Sequence, residues 1–222
     1  MDGAVAGHAP RFIAKSQESG QWPVIVGNRP FPGDDELARF VEDASADGAP
    51  SATDLLAAAA ALDPQDVLRR GWQGSLPTGE DAQDPAALEV YDESPPDRPV
   101  PPIPQRLTPW GMATIALIPA ATSEAAVAVL GWGNWNACPR PEEHVAVLRR
   151  WRILYGAQLK ALSPDTMELV VANPPGTIAD ALTLAREHYA YAPDIVDQGE
   201  HSTIGALAAA LVGTSHWHFW WD

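Results

Sequence analysis

The chain has 222 residues, of which 46% are hydrophobic and 19% charged, which is ample apolar material for a packed core. A formal charge of −15 and a pI near 4.6 argue against non-specific binding to nucleic acid or to anionic membrane, since both attract basic patches. A single cysteine, Cys138, excludes an internal disulfide and suits a reducing compartment.

The N-terminus, MDGAVAGHAP, lacks the basic and apolar regions of a secretory leader, and the longest apolar run, Leu55 to Leu62, is too short to cross a bilayer. The expectation is a cytoplasmic protein. Trp22–Gly27 (WPVIVG) reads as a short buried strand closed by Gly27 and Asn28. Two prolines make NRPFPG (28–33) a loop, and Asp34 and Asp35 open a helix to about Ala44. Ser51, with Asp54 three residues on, predicts a capped alanine-rich helix that stops near Asp63-Pro64. A second helix is predicted from Pro64 to Arg70, ending before Gly71.

From Gly74 to Pro109 the periodicity disappears, and seven of the fifteen residues from Pro95 to Pro109 are proline. Such a stretch is extended and buries little, so it reads as a linker or a long surface strap. Residues 1–110 hold 18 acids and 8 bases, against 11 and 6 in residues 111–222. The expected organisation is a small α/β appendage over 1–73, a Pro-rich acidic linker over 74–110, and a self-sufficient domain over 111–222.

That last segment is regular. Ala113–Ile118 is a strand, and Thr122 or Ser123 caps a helix that stops at Gly131. The loop GWGNWNACPR then leads to a helix from Pro141 to Tyr155, closed by Gly156. Gln158–Leu162 and Thr166–Ala172 form a hairpin through Ser163-Pro-Asp165, the second strand alternating so that one face is buried. Thr177 caps a helix to about Tyr189, Ser202 or Thr203 caps another to Val212, and His216–Trp221 is the last strand. The order β-α-β-β-α-β predicts an α+β fold with a four-stranded, mainly antiparallel sheet and helices on one face, a ferredoxin-like arrangement.

Several residues could bear chemistry. His144 falls within the apolar stripe of its helix and His188 at the edge of the next, so the two can share a polar site with Asp194 or Glu143; the bland alternative is two satisfied core histidines. His216 and His218 form an H-x-H pair on one strand face, half of a tetrahedral metal site that His201 would extend. Cys138 precedes a helix, with His144 six residues on, but a thiol nucleophile also needs a placed base. Trp132 and Trp135 suit either core or recognition surface. No phosphate cradle, G-x-S-x-G, C-x-x-C or H-E-x-x-H occurs, and the residues imply no cofactor and no metal.

The motifs GWGNWNACPRPEEHVAVLRRWRILYGAQLKAL, DTMELVVANPP, AREHYAYAPDIVDQG and the terminal HWHFWWD, in this order, resemble the bacterial family catalogued as domain of unknown function 4253. The resemblance implies no established activity. It points to His144, Trp151, Tyr155, Asp165, Pro193, Asp194, Gln198, Gly199, Trp220, Trp221 and Asp222. Family members often have cysteine where this chain has Ala192 and an aromatic where it has His218, so an H-x-H clamp would be particular to this protein. Asp194, Gln198 and Asp222 suit a pocket for a small polar ligand or local backbone caps.

The reading is a non-catalytic bacterial cytoplasmic domain that binds a small polar ligand or a protein partner with a basic surface, as in a toxin-neutralising role. The candidate ligand-binding residues are Trp132, Trp135, His144, His188, Asp194, Gln198 and Asp222. The alternative is a hydrolase or metal-dependent enzyme using His144, His188 and Asp194.

Overall fold

The computed structural model describes residues 19–26, 48–79, 81–106 and 114–222. The expected loop at 28–33 and helix from Asp34 to Ala44 lie outside these residues. Among the described residues are five strands: β1 (Trp22–Val26), β2 (Thr114–Ile118), β3 (Gln158–Leu162), β4 (Thr166–Val170) and β5 (His216–Trp220). Eight helices accompany them: α1 (Ala52–Ala61), α2 (Pro64–Ser75), α3 (Pro85–Glu89), α4 (Ser123–Leu130), α5 (Pro141–Tyr155), α6 (Ile178–Tyr191), α7 (Asp194–Asp197) and α8 (Ile204–Leu211).

The strands form one open mixed sheet in the order β2-β1-β3-β4-β5. β1 pairs antiparallel with β2 and parallel with β3, while β3–β4 and β4–β5 are antiparallel. The α+β class holds, but the expected four-stranded, mainly antiparallel, ferredoxin-like sheet gives way to five strands. The missing strand comes from the N-terminal segment. WPVIV turns Trp22, Val24 and Val26 into the core and takes its place between β2 and β3. Its pairing with β3 covers only Ile25 and Val26. Beyond that short ladder the Trp22 indole donates to the Leu159 carbonyl at 3.0 Å, so a side chain joins the strands next to Pro23, which has no N–H to give. The sheet is therefore not confined to 111–222.

Helix ends follow their local chemistry. The Ser51 side chain and the Asp54 carboxylate form a reciprocal capping box, and Thr122, Thr177 and Thr203 each accept from a backbone N–H at the start of a helix. α2 runs on to Ser75 where a stop before Gly71 was expected. Gly71 lies against α6, and a Cβ there would stand 2.0 Å from the Ala190 carbonyl oxygen, so this glycine is a helix–helix contact and not a terminator.

α5 and α6 pack on one sheet face, where Trp151 and Tyr191 meet Trp217 and Phe219. α1 and α2 lie on the outside of that helical layer: Leu55 and Ala59 of α1 join Ala128 and Val145, and α2 crosses α5 and α6. The Pro-rich segment takes the strap form of its two expected readings. Its start is held at α8, whose Ile204 and Gly205 N–H groups donate to Val90 O and Asp92 O. Ile103 is then buried in the core cluster, His201 and His216 bond to the Pro101 and Pro104 carbonyls, and Arg106 N–H donates to Glu168. Both faces of β4 are consequently buried, where alternation alone predicted one.

Candidate functional site: a cleft beside the last strand

The predicted site residues fall into two separate groups. The first is organised by the loop before α5. Trp132 is buried and donates from its indole to Ser163 O at 3.0 Å, and half-buried Trp135 stands edge-on to it with ring centroids 4.8 Å apart. His144 is wholly buried, its Nδ1 lying 2.5 Å from the Tyr191 hydroxyl and its Nε2 3.3 Å from Cys138 Sγ. The ring thus bridges the Tyr191 hydroxyl and the Cys138 thiol, and the Tyr191 hydroxyl also lies 3.8 Å from Met167 Sδ. Gly133, at φ 126°, leaves room for the ring: a Cβ there would meet Pro139 O at 2.5 Å and His144 Cδ2 at 2.7 Å.

Burial sets the charge state of this cluster. It lowers the His144 pKa to about 3, against the opposing pull of Glu143, and it raises the Cys138 thiol well above its ordinary range. A neutral imidazole beside a neutral, buried thiol is a packed hydrogen-bond chain. It lacks the thiolate and the access that nucleophilic catalysis requires.

The second group lines a cleft of about 300 Å³ beside β5, the outer strand of the sheet. Its walls include His188 and Leu207 from the helices, Ile103 and Arg106 from the strap, Asp165 and Thr166 at the β4 end, and His218 and Trp220 on β5. Asp194, Gln198, Gly199 and Glu200 close it from α7 and the turn that follows. His188, Asp194 and Gln198 line the same cleft, whereas His144, Trp132 and Trp135 do not. The shared His144–His188 site does not form: aromatic rings of Trp151 and Tyr191 stand between them.

Asp194 is already engaged, accepting from Gln198 Nε2 at 3.1 Å and from the Asp222 backbone N–H at 3.0 Å. Asp222 is thereby an anchor, also tied to the tryptophan loop through Asn136 Nδ2, which donates to its carbonyl oxygen. Asp165 Oδ1 accepts from Ser163 Oγ and Thr166 Oγ1 at 2.8 and 2.9 Å. Two buried histidine nitrogens in the walls, His188 Nε2 and His218 Nδ1, have no hydrogen-bond partner among the described residues. Burial alone lowers the His188 pKa to about 3, so its ring is neutral at pH 7. His218 Nδ1 lies 3.7 Å from Glu168, too far for a hydrogen bond.

The H-x-H pair does share one face, as its spacing required. His216 Nε2 is 3.9 Å from Glu168 Oε2, and Lys160 Nζ is 3.3 Å from the same oxygen. His216 is lowered to about 4, first by burial and then by Lys160, with Glu168 opposing. His201 is spent on the strap, and among the described residues no group of three His, Cys, Asp or Glu side chains is spaced to hold a metal ion. Arg106 and Glu200, 3.7 Å apart at the mouth of the cleft, were missed by sequence reasoning. Nothing local marks them, because their proximity depends on where the strap crosses.

Residues 114–222 match the family described as domain of unknown function (DUF4253), in agreement with the resemblance read from the motifs. No curated protein and no solved structure matches the chain. The family segment contains four of the five strands, and β1 lies outside it.

Proposed function

We propose that this chain is a non-catalytic binding protein whose cleft beside β5 receives a small polar ligand. The observation that carries this reading is that two buried imidazole nitrogens without a partner among the described residues, His188 Nε2 and His218 Nδ1, belong to residues that line this cleft, one from each face of β5. A buried polar atom left unsatisfied costs about 1–3 kcal/mol, and a ligand that bonds to either nitrogen removes that cost. Further support comes from the motif positions Asp165, Asp194, Gln198, Gly199 and Trp220, which are scattered in sequence yet all line this cavity. The single cysteine, the acidic composition and the family resemblance support a bacterial cytoplasmic setting.

The hydrolase alternative has less support. It needs His144 with His188 and Asp194, but His144 is bonded to Tyr191 and Cys138, and both Asp194 oxygens are occupied. Native mass spectrometry of the full chain with pooled polar metabolites tests the binding reading. The expected result is a one-to-one adduct that is lost in a His218→Leu, Gln198→Leu variant with unchanged circular dichroism. An adduct that survives this change, or none from any pool, contradicts it.

A further inference from the structure

Resting on that reading of the cleft, we infer that its ligand is an organic cation, a primary amine or a guanidinium. The cleft carries more acidic than basic side chains in its lining. Asp165, Asp194 and Glu200 stand in its wall against one guanidinium, that of Arg106. Arg106 is itself opposed by Glu200 at the mouth, so it offers little to an incoming anion. Asp165 is exposed at the β4 end of the wall, beside Thr166; its Oδ1 is taken by two hydroxyls, while Oδ2 has no partner among the described residues.

His188, 1% exposed, also lines the cleft and at neutral pH carries no charge to repel a cation. Its Nε2 and His218 Nδ1 are unmatched, and each can accept from an N–H donor in the appropriate tautomer. The half-buried indole of Trp220 lends the face that cations prefer. Around all this, a chain of charge −15 draws cations and repels anions over distances of several ångströms.

One cation chemistry has two sources, a free amine or a basic side chain of a protein partner, and β5 bears on the choice. The Ser215 carbonyl and the Trp221 N–H face β4, so by antiparallel alternation the backbone groups of His216, His218 and Trp220 point outward along the sheet edge. His216 and His218 are buried, so an arginine within an extended peptide meets the edge only at half-buried Trp220, next to the cleft, whereas a free amine uses the cleft alone.

Calorimetric titration of the full chain with agmatine, with the capped tripeptide Ala-Arg-Ala, with acetate and with glucose decides the matter. Saturable one-to-one binding of agmatine is expected, at least tenfold weaker in Asp165→Asn and in Glu200→Gln and weaker again in high salt. Tighter binding of the tripeptide assigns the cation to a protein partner; equal or weaker binding assigns it to a free amine. If Asp165→Asn does not fold, the exposed Glu200→Gln still serves. Saturable binding of acetate or glucose without agmatine binding overturns the cation assignment but keeps the cleft as a ligand site. Agmatine binding that is indifferent to both substitutions also overturns the assignment, and no binding by any probe overturns both.

Discussion

Three histidines are buried in states that burial alone would forbid them to leave. His144 and His188 are lowered to about 3 and His216 to about 4, whereas an unfolded chain protonates histidine near 6.5. Between those values the unfolded state binds more protons than the native one, so stability falls as pH falls from about 6.5 towards 4. Urea titrations across this window should show that slope. His188→Phe should flatten it by about one proton while leaving stability at pH 8 within roughly 2 kcal/mol, since a ring of similar size replaces a desolvated one. The thiol gives a second test at this scale. Cys138 should stay unreactive to a disulfide reagent in the native protein and react fully on unfolding; fast native labelling would mean that the His144–Tyr191 cluster opens. The motif positions show what could be read in advance. Asp194 and Gln198 stand four residues apart and were legible as polar positions off any core stripe, but Asp165 and Arg106 reach the same cleft from 29 and 88 residues before Asp194.

Elements whose signals are local were legible, and those whose partners are distant were not. Ser51, Thr122, Pro141, Thr177 and Thr203 mark true helix starts because a cap acts within three residues. The one-turn helices α3 and α7 have too few residues for a periodicity. The strap could not be told from a linker, since its value lies in what it touches: Ile103 in the core, and three backbone groups on His201, His216 and Glu168. Ile103→Asp should release it, and amide exchange at β5 should then rise roughly tenfold while α1 is unaffected. The helical layer has its own fastening, with buried Glu124 held by the Arg152 guanidinium and Glu187 bridging Arg150 and the Trp151 indole. Arg152→Ala would strand the Glu124 carboxylate and should cost about 3 kcal/mol in chemical denaturation, more than an exposed ion pair can.

At the scale of the molecule, the N-terminal half completes what the family segment begins. β1 lies between β2 and β3, so without it β2 has no neighbour and Leu159 loses the Trp22 indole that caps its carbonyl. α1 and α2 cover the helical layer from outside, and the strap supplies Ile103, Pro104 and Arg106 to the cleft. None of this was legible in composition, because a strand of five residues announces its own pattern but not the place it takes in a sheet. Trp22→Ala should accordingly destabilise the whole protein by about 3–5 kcal/mol, in one transition and not as a detached unit. The most direct measurement is the near-ultraviolet circular dichroism and urea unfolding of residues 111–222 alone beside the full chain. We expect the fragment to lose the ordered tryptophan signal and the cooperative transition, and to regain both when residues 1–110 are added in trans. A fragment that unfolds cooperatively with the tryptophan spectrum of the full chain would contradict this account.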